Sequence, residues 1–173
     1  MPKLVAVILA ALLLALPAAG QDYDKGVAAY GRGDYATALK EWRPLAEQGN
    51  AIAQHNLGVM YDKGQGVPHD HAEAVKWYRR AAEQGHAKAQ TNLGNYYLGG
   101  HGVPQDFAEA VKWFRRAAEQ GRVYAQGQLA DIYSEVEGFP RDYVQAHLWY
   151  NLAAAADGSL DRAYPVNADT HYM

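Results

Sequence analysis

The chain reads AIAQHNLGVMYDKGQGVPHDHAEAVKWYRRAAEQGH from Ala51 to His86, and then AKAQTNLGNYYLGGHGVPQDFAEAVKWFRRAAEQGR from Ala87 to Arg122. These two 36-residue stretches agree at 25 positions, including every glycine, proline, alanine and tryptophan of the first. A looser third copy begins at Val123, where Gln126, Leu129, Tyr133, Gly138, Pro140, Asp142, Ala146 and Trp149 fall in register. A module copied at constant spacing cannot bury its apolar face alone and stacks on its own copies. The predicted fold is therefore all-α, a solenoid.

Within one copy the residue types specify two helices and a linker. Ala53, Leu57, Met60 and Tyr61 form one stripe, so Ala51 to about Lys63 reads as a first helix, A. Gly58 costs that helix about 1 kcal/mol relative to alanine. Its return as Gly94, and as the small Ala130, implies a neighbouring helix too close for a larger side chain. Gly64 stands where helix A must stop with positive φ, and Pro68 keeps the linker extended. Asp70 with Glu73 reads as a capping box that opens helix B, repeated as Asp106 with Glu109 and as Asp142 with Gln145. Helix B, about His71 to Gln84, is expected to bury Ala72, Ala74, Val75, Trp77, Tyr78, Ala81 and Ala82. It turns Glu73, Lys76, Arg79, Arg80 and Glu83 to water, with Arg79 pairing to Glu83.

Working outward, residues 22–50 carry a shorter unit. Tyr23, Val27 and Tyr30 recur at helical spacing, Gly33-Asp34 breaks and restarts the chain, and a second stripe follows at Ala38, Leu39, Trp42 and Leu45. Pro44 is expected to bend that second helix. In the third full unit Val136 replaces the first linker glycine. Its last helix leaves Leu148, Trp149 and Leu152 with no following unit, a face that would self-associate or be covered by the polar tail, residues 159–173.

Met1–Gly20 has Lys3, an uncharged apolar run from Leu4 to Leu16, and then Pro17, Ala18, Ala19 and Gly20. That is the build of a secretory signal peptide, too short for a membrane span, with cleavage expected after Gly20. The repeat domain is thus residues 21–158, in units of about 22–50, 51–86, 87–122 and 123–158, and the expected location is periplasmic or secreted. Loss of Lys3 takes the formal charge from −3 to −4, which gives no basic surface for nucleic acid. There is no cysteine, so no disulfide and no thiol nucleophile.

The pattern Leu57-Gly58-x-x-Tyr61, Gly64-x-Gly66-Val67-Pro68-x-Asp70 and Ala74-x-x-Trp77-Tyr78-x-x-Ala81-Ala82-x-x-Gly85 resembles the Sel-1-like repeat family, a relative of the tetratricopeptide repeat with a longer linker. The resemblance covers about 120 residues. It implies a right-handed α-solenoid of paired antiparallel helices, whose A helices line a concave surface that holds a protein or peptide segment. On that analogy the partner-binding positions are Ile52, His55, Val59 and Asp62, then Lys88, Thr91, Asn95 and Leu98, then Tyr124 and Asp131. Asn92-Leu93-Gly94-Asn95 matches the tetratricopeptide consensus, but Val59 and Asp131 stand where the neighbouring units would need asparagine for a carboxylate clamp. These positions vary while the packing residues repeat, as a binding wall requires and as exposed positions free to drift would also show.

Catalysis finds little support in the chain. His69-Asp70-His71 lacks a third spaced metal ligand, its histidines are replaced by Gln105 and Phe107 in the next unit, and Asp70 is taken by the cap. No metal and no cofactor are expected. Ser134 and Ser159 lie outside any nucleophile motif. Trp77, Trp113 and Trp149, 36 residues apart, are core. Relatives with paired cysteines imply β-lactam binding or hydrolysis, a reading the missing cysteines disfavour. A second alternative is an envelope factor that binds peptidoglycan or its enzymes. The leading expectation is a non-enzymatic, exported scaffold for protein–protein interaction.

Overall fold

A computed structural model of the chain describes residues 22–157. The predicted signal segment and the tail lie outside the described residues. The described residues form eight helices and no strand: α1 (Tyr23–Gly31), α2 (Tyr35–Glu47), α3 (Ala51–Lys63), α4 (His71–Glu83), α5 (Ala87–Gly99), α6 (Phe107–Glu119), α7 (Val123–Glu135) and α8 (Tyr143–Asp157). Odd-numbered helices are the A helices and even-numbered ones the B helices. Each packs chiefly on the helix before it and the helix after it, which makes an α-solenoid.

The glycines act as the pattern requires. Gly64 and Gly100 end α3 and α5 in the left-handed conformation, φ 65° and 69°, where each amide donates to the carbonyl four residues back. A Cβ on Gly58 would lie 2.5 Å from the Tyr78 ring, and one on Gly94 would lie 2.7 Å from the Phe114 ring. Both rings are fully buried, so each glycine is the socket for the B-helix aromatic of its own unit. In the short unit Gly26 receives Trp42 in the same way. That placement turns Val27 outward, 45% exposed.

Trp42, Trp77, Trp113 and Trp149 are all buried, while Leu148 and Leu152 are exposed. Three expectations are corrected. Ala72 is exposed, because it sits in the first turn of α4 beyond the reach of the neighbouring helices. Only half of each capping box forms. Asp70, Asp106 and Asp142 accept from the amides of Glu73, Glu109 and Gln145, but their own amides donate to the carbonyls of Tyr61, Tyr97 and Tyr133. Those bonds fold each linker back against the end of its A helix, and Glu73 and Glu109 pair instead with Lys76 and Lys112. Finally, Arg79 reaches the Tyr97 hydroxyl of the next unit rather than Glu83.

The Arg79 contact belongs to a ladder between units. Arg43 donates to Tyr61 at 2.9 Å and Arg115 to Tyr133 at 2.8 Å, so the same bond recurs at each seam. A glutamine ladder runs beside it. The side-chain amides of Gln54, Gln90 and Gln126 donate to the carbonyls of Ala46, Ala82 and Ala118 in the preceding B helix. Gln84 and Gln120 in turn donate to Gln54 and Gln90 at 2.7 Å. At every seam the buried glutamine amide thus donates to the preceding B helix, which fixes the register of one unit on the next, and in the first two full units its oxygen is satisfied as well.

Candidate partner-binding groove

Two adjoining depressions run along the A-helix face, of about 340 Å³ and 310 Å³. They share Tyr23, His55 and Asn56 and so form one groove across α1, α3 and α5. At one end the walls are Val27, Tyr30, Trp42 and Val59. At the other they are Ile52, His86, Lys88 and Arg122, and no carboxylate lines either part. The groove therefore passes from apolar to cationic along its length.

Its floor is fixed by a histidine pair. The His55 ring lies 4.7 Å from that of His86 and 5.8 Å from Tyr78, and its Nδ1 faces Asn56 Oδ1 at 3.3 Å. Burial, then the neighbouring His86 and Lys88, pushes the His55 pKa down to about 4. Burial and the charges of Lys88 and Arg122 lower that of His86. Both imidazoles are neutral at pH 7, so the positive charge of this end comes from Lys88 and Arg122.

Among the positions implied by the resemblance, Ile52, His55, Val59 and Lys88 line this groove. The others lie elsewhere. Thr91 is buried at 6% exposure, with its hydroxyl donating to the carbonyl of Ala87, so it offers a partner nothing. Asn95 accepts from the exposed Tyr124 hydroxyl at 3.1 Å, and Asp131 accepts from Tyr150 at 2.6 Å. Asp62 accepts from Tyr96, whose own ionisation is pushed up by burial and by that carboxylate, and Leu98 packs half-buried against the core. Sequence reading missed Tyr23, Val27, Asn56, His86 and Arg122. Tyr23 and Val27 show in the sequence only as residues at helical spacing, which does not say which side of the helix a groove takes. His86 and Arg122 occupy the last position of each copy, where the two copies differ.

The geometry and the repeat pattern agree with known proteins. The Sel1 repeat profile matches residues 51–86, 87–121 and 123–158. The chain belongs to the Sel1 repeat family. No curated protein matches it. It is similar to a protective antigen of uropathogenic Escherichia coli strains that displays an SLR fold, at 46% identity and a TM-score of 0.72, over 77% of this chain and 29% of that one. It is also similar to a Sel1 repeat protein from Oxalobacter formigenes, at 38% identity and a TM-score of 0.73, over 78% and 56%. This Sel1 repeat chain thus spans under a third of the first and just over half of the second. Helicobacter pylori cysteine rich protein B is a more distant likeness, at 26% identity and a TM-score of 0.51, over 53% of this chain and 68% of that one. The Sel1 repeat fold is a scaffold that generally mediates protein–protein interaction, and its members are typically non-enzymatic.

Proposed function

We propose that this Sel1 repeat protein is an exported scaffold that holds an extended protein segment in the groove along α1, α3 and α5. One observation carries the reading: the groove walls include large apolar side chains with no packing duty, Val27 at 45% and Ile52 at 48% exposure, next to unopposed cationic ones. A segment that fits would set apolar residues over Val27, Tyr30 and Val59 and carboxylates over Lys88 and Arg122. At neutral pH His86, whose Nδ1 caps α5, would offer it an uncharged Nε2, while both His55 nitrogens are engaged by Asn56 and Asn92.

Random-peptide display against the purified protein tests this directly. Acidic, partly apolar segments are expected to enrich, and Lys88→Glu with Ile52→Glu should weaken their binding at least about tenfold, a loss near 1.4 kcal/mol, with the thermal midpoint almost unmoved. Equal binding to the double variant would remove the groove from the account. Export is part of the same proposal and rests on the composition of Met1–Gly20. The mature protein, recovered outside the cytoplasm, is expected to begin at Gln21. The exposed Val144, Leu148 and Leu152 of α8 favour self-association through that face, which sedimentation of wild type against Leu148→Glu would reveal.

A further inference from the structure

We propose that Asp62, His69 and His71 form a binding site for a divalent transition metal of the zinc class, at the linker between α3 and α4. The three are spread over ten residues and belong to three local contexts: the last turn of α3, the linker, and the first position of α4. The fold brings them together. Gly64 turns the chain through its left-handed cap, and the Asp70 amide bonds back to the Tyr61 carbonyl at 3.0 Å. That leaves His69 and His71 on either side of Asp70, facing the Asp62 carboxylate.

One ligand atom from each of the three lies within 4.8 Å of the other two. His71 Nδ1 and Asp62 Oδ1 are 3.6 Å apart, and the rings of His69 and His71 are 4.3 Å apart at 76°. Metal–ligand bonds near 2.0–2.1 Å in tetrahedral geometry place ligand atoms about 3.4 Å from one another. Small rotations of the exposed His69 and the half-buried Asp62 and His71 side chains therefore close the set. Asp70, the central residue of the His-Asp-His run, is excluded as a ligand because its carboxylate caps α4.

The surroundings suit a metal. The Tyr96 hydroxyl of the next unit donates to Asp62 Oδ1 and lies 3.1 Å from His71 Nδ1; an ion taking those two atoms would displace it from His71 and leave it on the carboxylate as an outer partner. His101 stands beside the site, its ring 5.6 Å from that of His71. Internal repetition separates this arrangement from chance. On a frame that otherwise repeats, the equivalents of Asp62, His69 and His71 are Leu98, Gln105 and Phe107 in the next unit, then Ser134, Arg141 and Tyr143. All three ligand positions are filled in one unit and vacated together in the others. Two imidazoles and one carboxylate suit zinc, nickel or copper, whereas magnesium and calcium require oxygen donors throughout. A three-ligand set also leaves the ion a fourth position for water.

The test is a zinc titration of tag-free protein against a chromophoric chelator, with thermal midpoints measured in parallel. One equivalent of zinc per chain is expected, with a raised midpoint that magnesium does not reproduce. His69→Ala, at an exposed linker position, and Asp62→Asn, which keeps the Tyr96 bond, should each weaken zinc at least about tenfold while circular dichroism stays that of the wild type. His147→Ala, in α8, should bind as the wild type does. Less than one equivalent, or undiminished affinity in both ligand variants, would overturn the assignment.

Discussion

The second full unit and the last one share a plan and differ in how completely it is carried out. In the second, Gly94 receives the buried Phe114 ring, Gly100 caps α5, His86 caps its start, and Gln120 satisfies Gln90. In the last, Ala130 replaces the socket glycine and Tyr150 sits only half-buried, its hydroxyl on Asp131. Val136 ends α7 in an extended conformation, and Arg122 makes no side-chain cap. Ala156 stands where Gln84 and Gln120 stand in the other units, and Gln126 Oε1 is left buried without a partner. What the last unit keeps is the inward seam: Ala125, Leu129, Trp149 and the Arg115–Tyr133 bond. The last described repeat keeps the contacts that hold it to its predecessor and the Asp142 cap of its second helix, and loses the glycine socket, the left-handed cap and the glutamine that complete the earlier units.

This contrast is open to measurement. Gly94→Ala should destabilise by up to about 3 kcal/mol, because its methyl meets the Phe114 ring and overpacking costs of that order outweigh the gain in helix propensity. The converse change, Ala130→Gly, should cost only about 1 kcal/mol, since no fully buried ring occupies that position. Urea midpoints of the two variants give the comparison, and equal losses would show that the two units are packed alike.

Acid sharpens the comparison between seams. His55 is half-buried at the seam between α3 and α5, where its equivalent one unit later is Thr91, which does not titrate. A histidine whose folded pKa lies below its unfolded value is stabilising above the unfolded pKa, because the unfolded chain binds the proton first. That stability is lost as the pH falls from about 6.5 towards 4. Allowing for its partial exposure, about 2 kcal/mol should disappear over this range relative to His55→Asn. Parallel pH profiles for the two proteins would place the lability at another group.

The smallest effect is a repair. Ala156→Gln restores to the last unit the donor that Gln126 Oε1 lacks, and should stabilise by about 1 kcal/mol, read as a higher thermal midpoint. A midpoint unchanged in this variant would mean that the amide ladder contributes nothing at the terminal seam.

Much of this was legible in the residues, and the part that was not has a common cause. The A-helix boundaries, the left-handed caps at Gly64 and Gly100, the Asp70 and Asp106 caps and the tryptophan core all follow from interactions within a turn or two of helix, or from a spacing that repeats. The exposure of Val27 was not legible because helical periodicity reports an apolar face, while Trp42 seated on Gly26 decided which side the core took. Half of each capping box failed because a tertiary bond to the preceding helix claimed the Asp amide first.

By itself the sequence determined that a helical pair is copied and stacked, where each helix starts and stops, and which alanines and aromatics go inside. Only the tertiary structure decided that Arg79 belongs to Tyr97, that Gln84 belongs to Gln54, that Lys88 and Arg122 share a groove with Val27, and that Asp62 lies beside His69 and His71. Caps and propensities act over about four residues, so a linear reading captures them. Meetings between helices depend on how far each linker folds back and how each pair is turned on the last, and no neighbour in sequence carries that information.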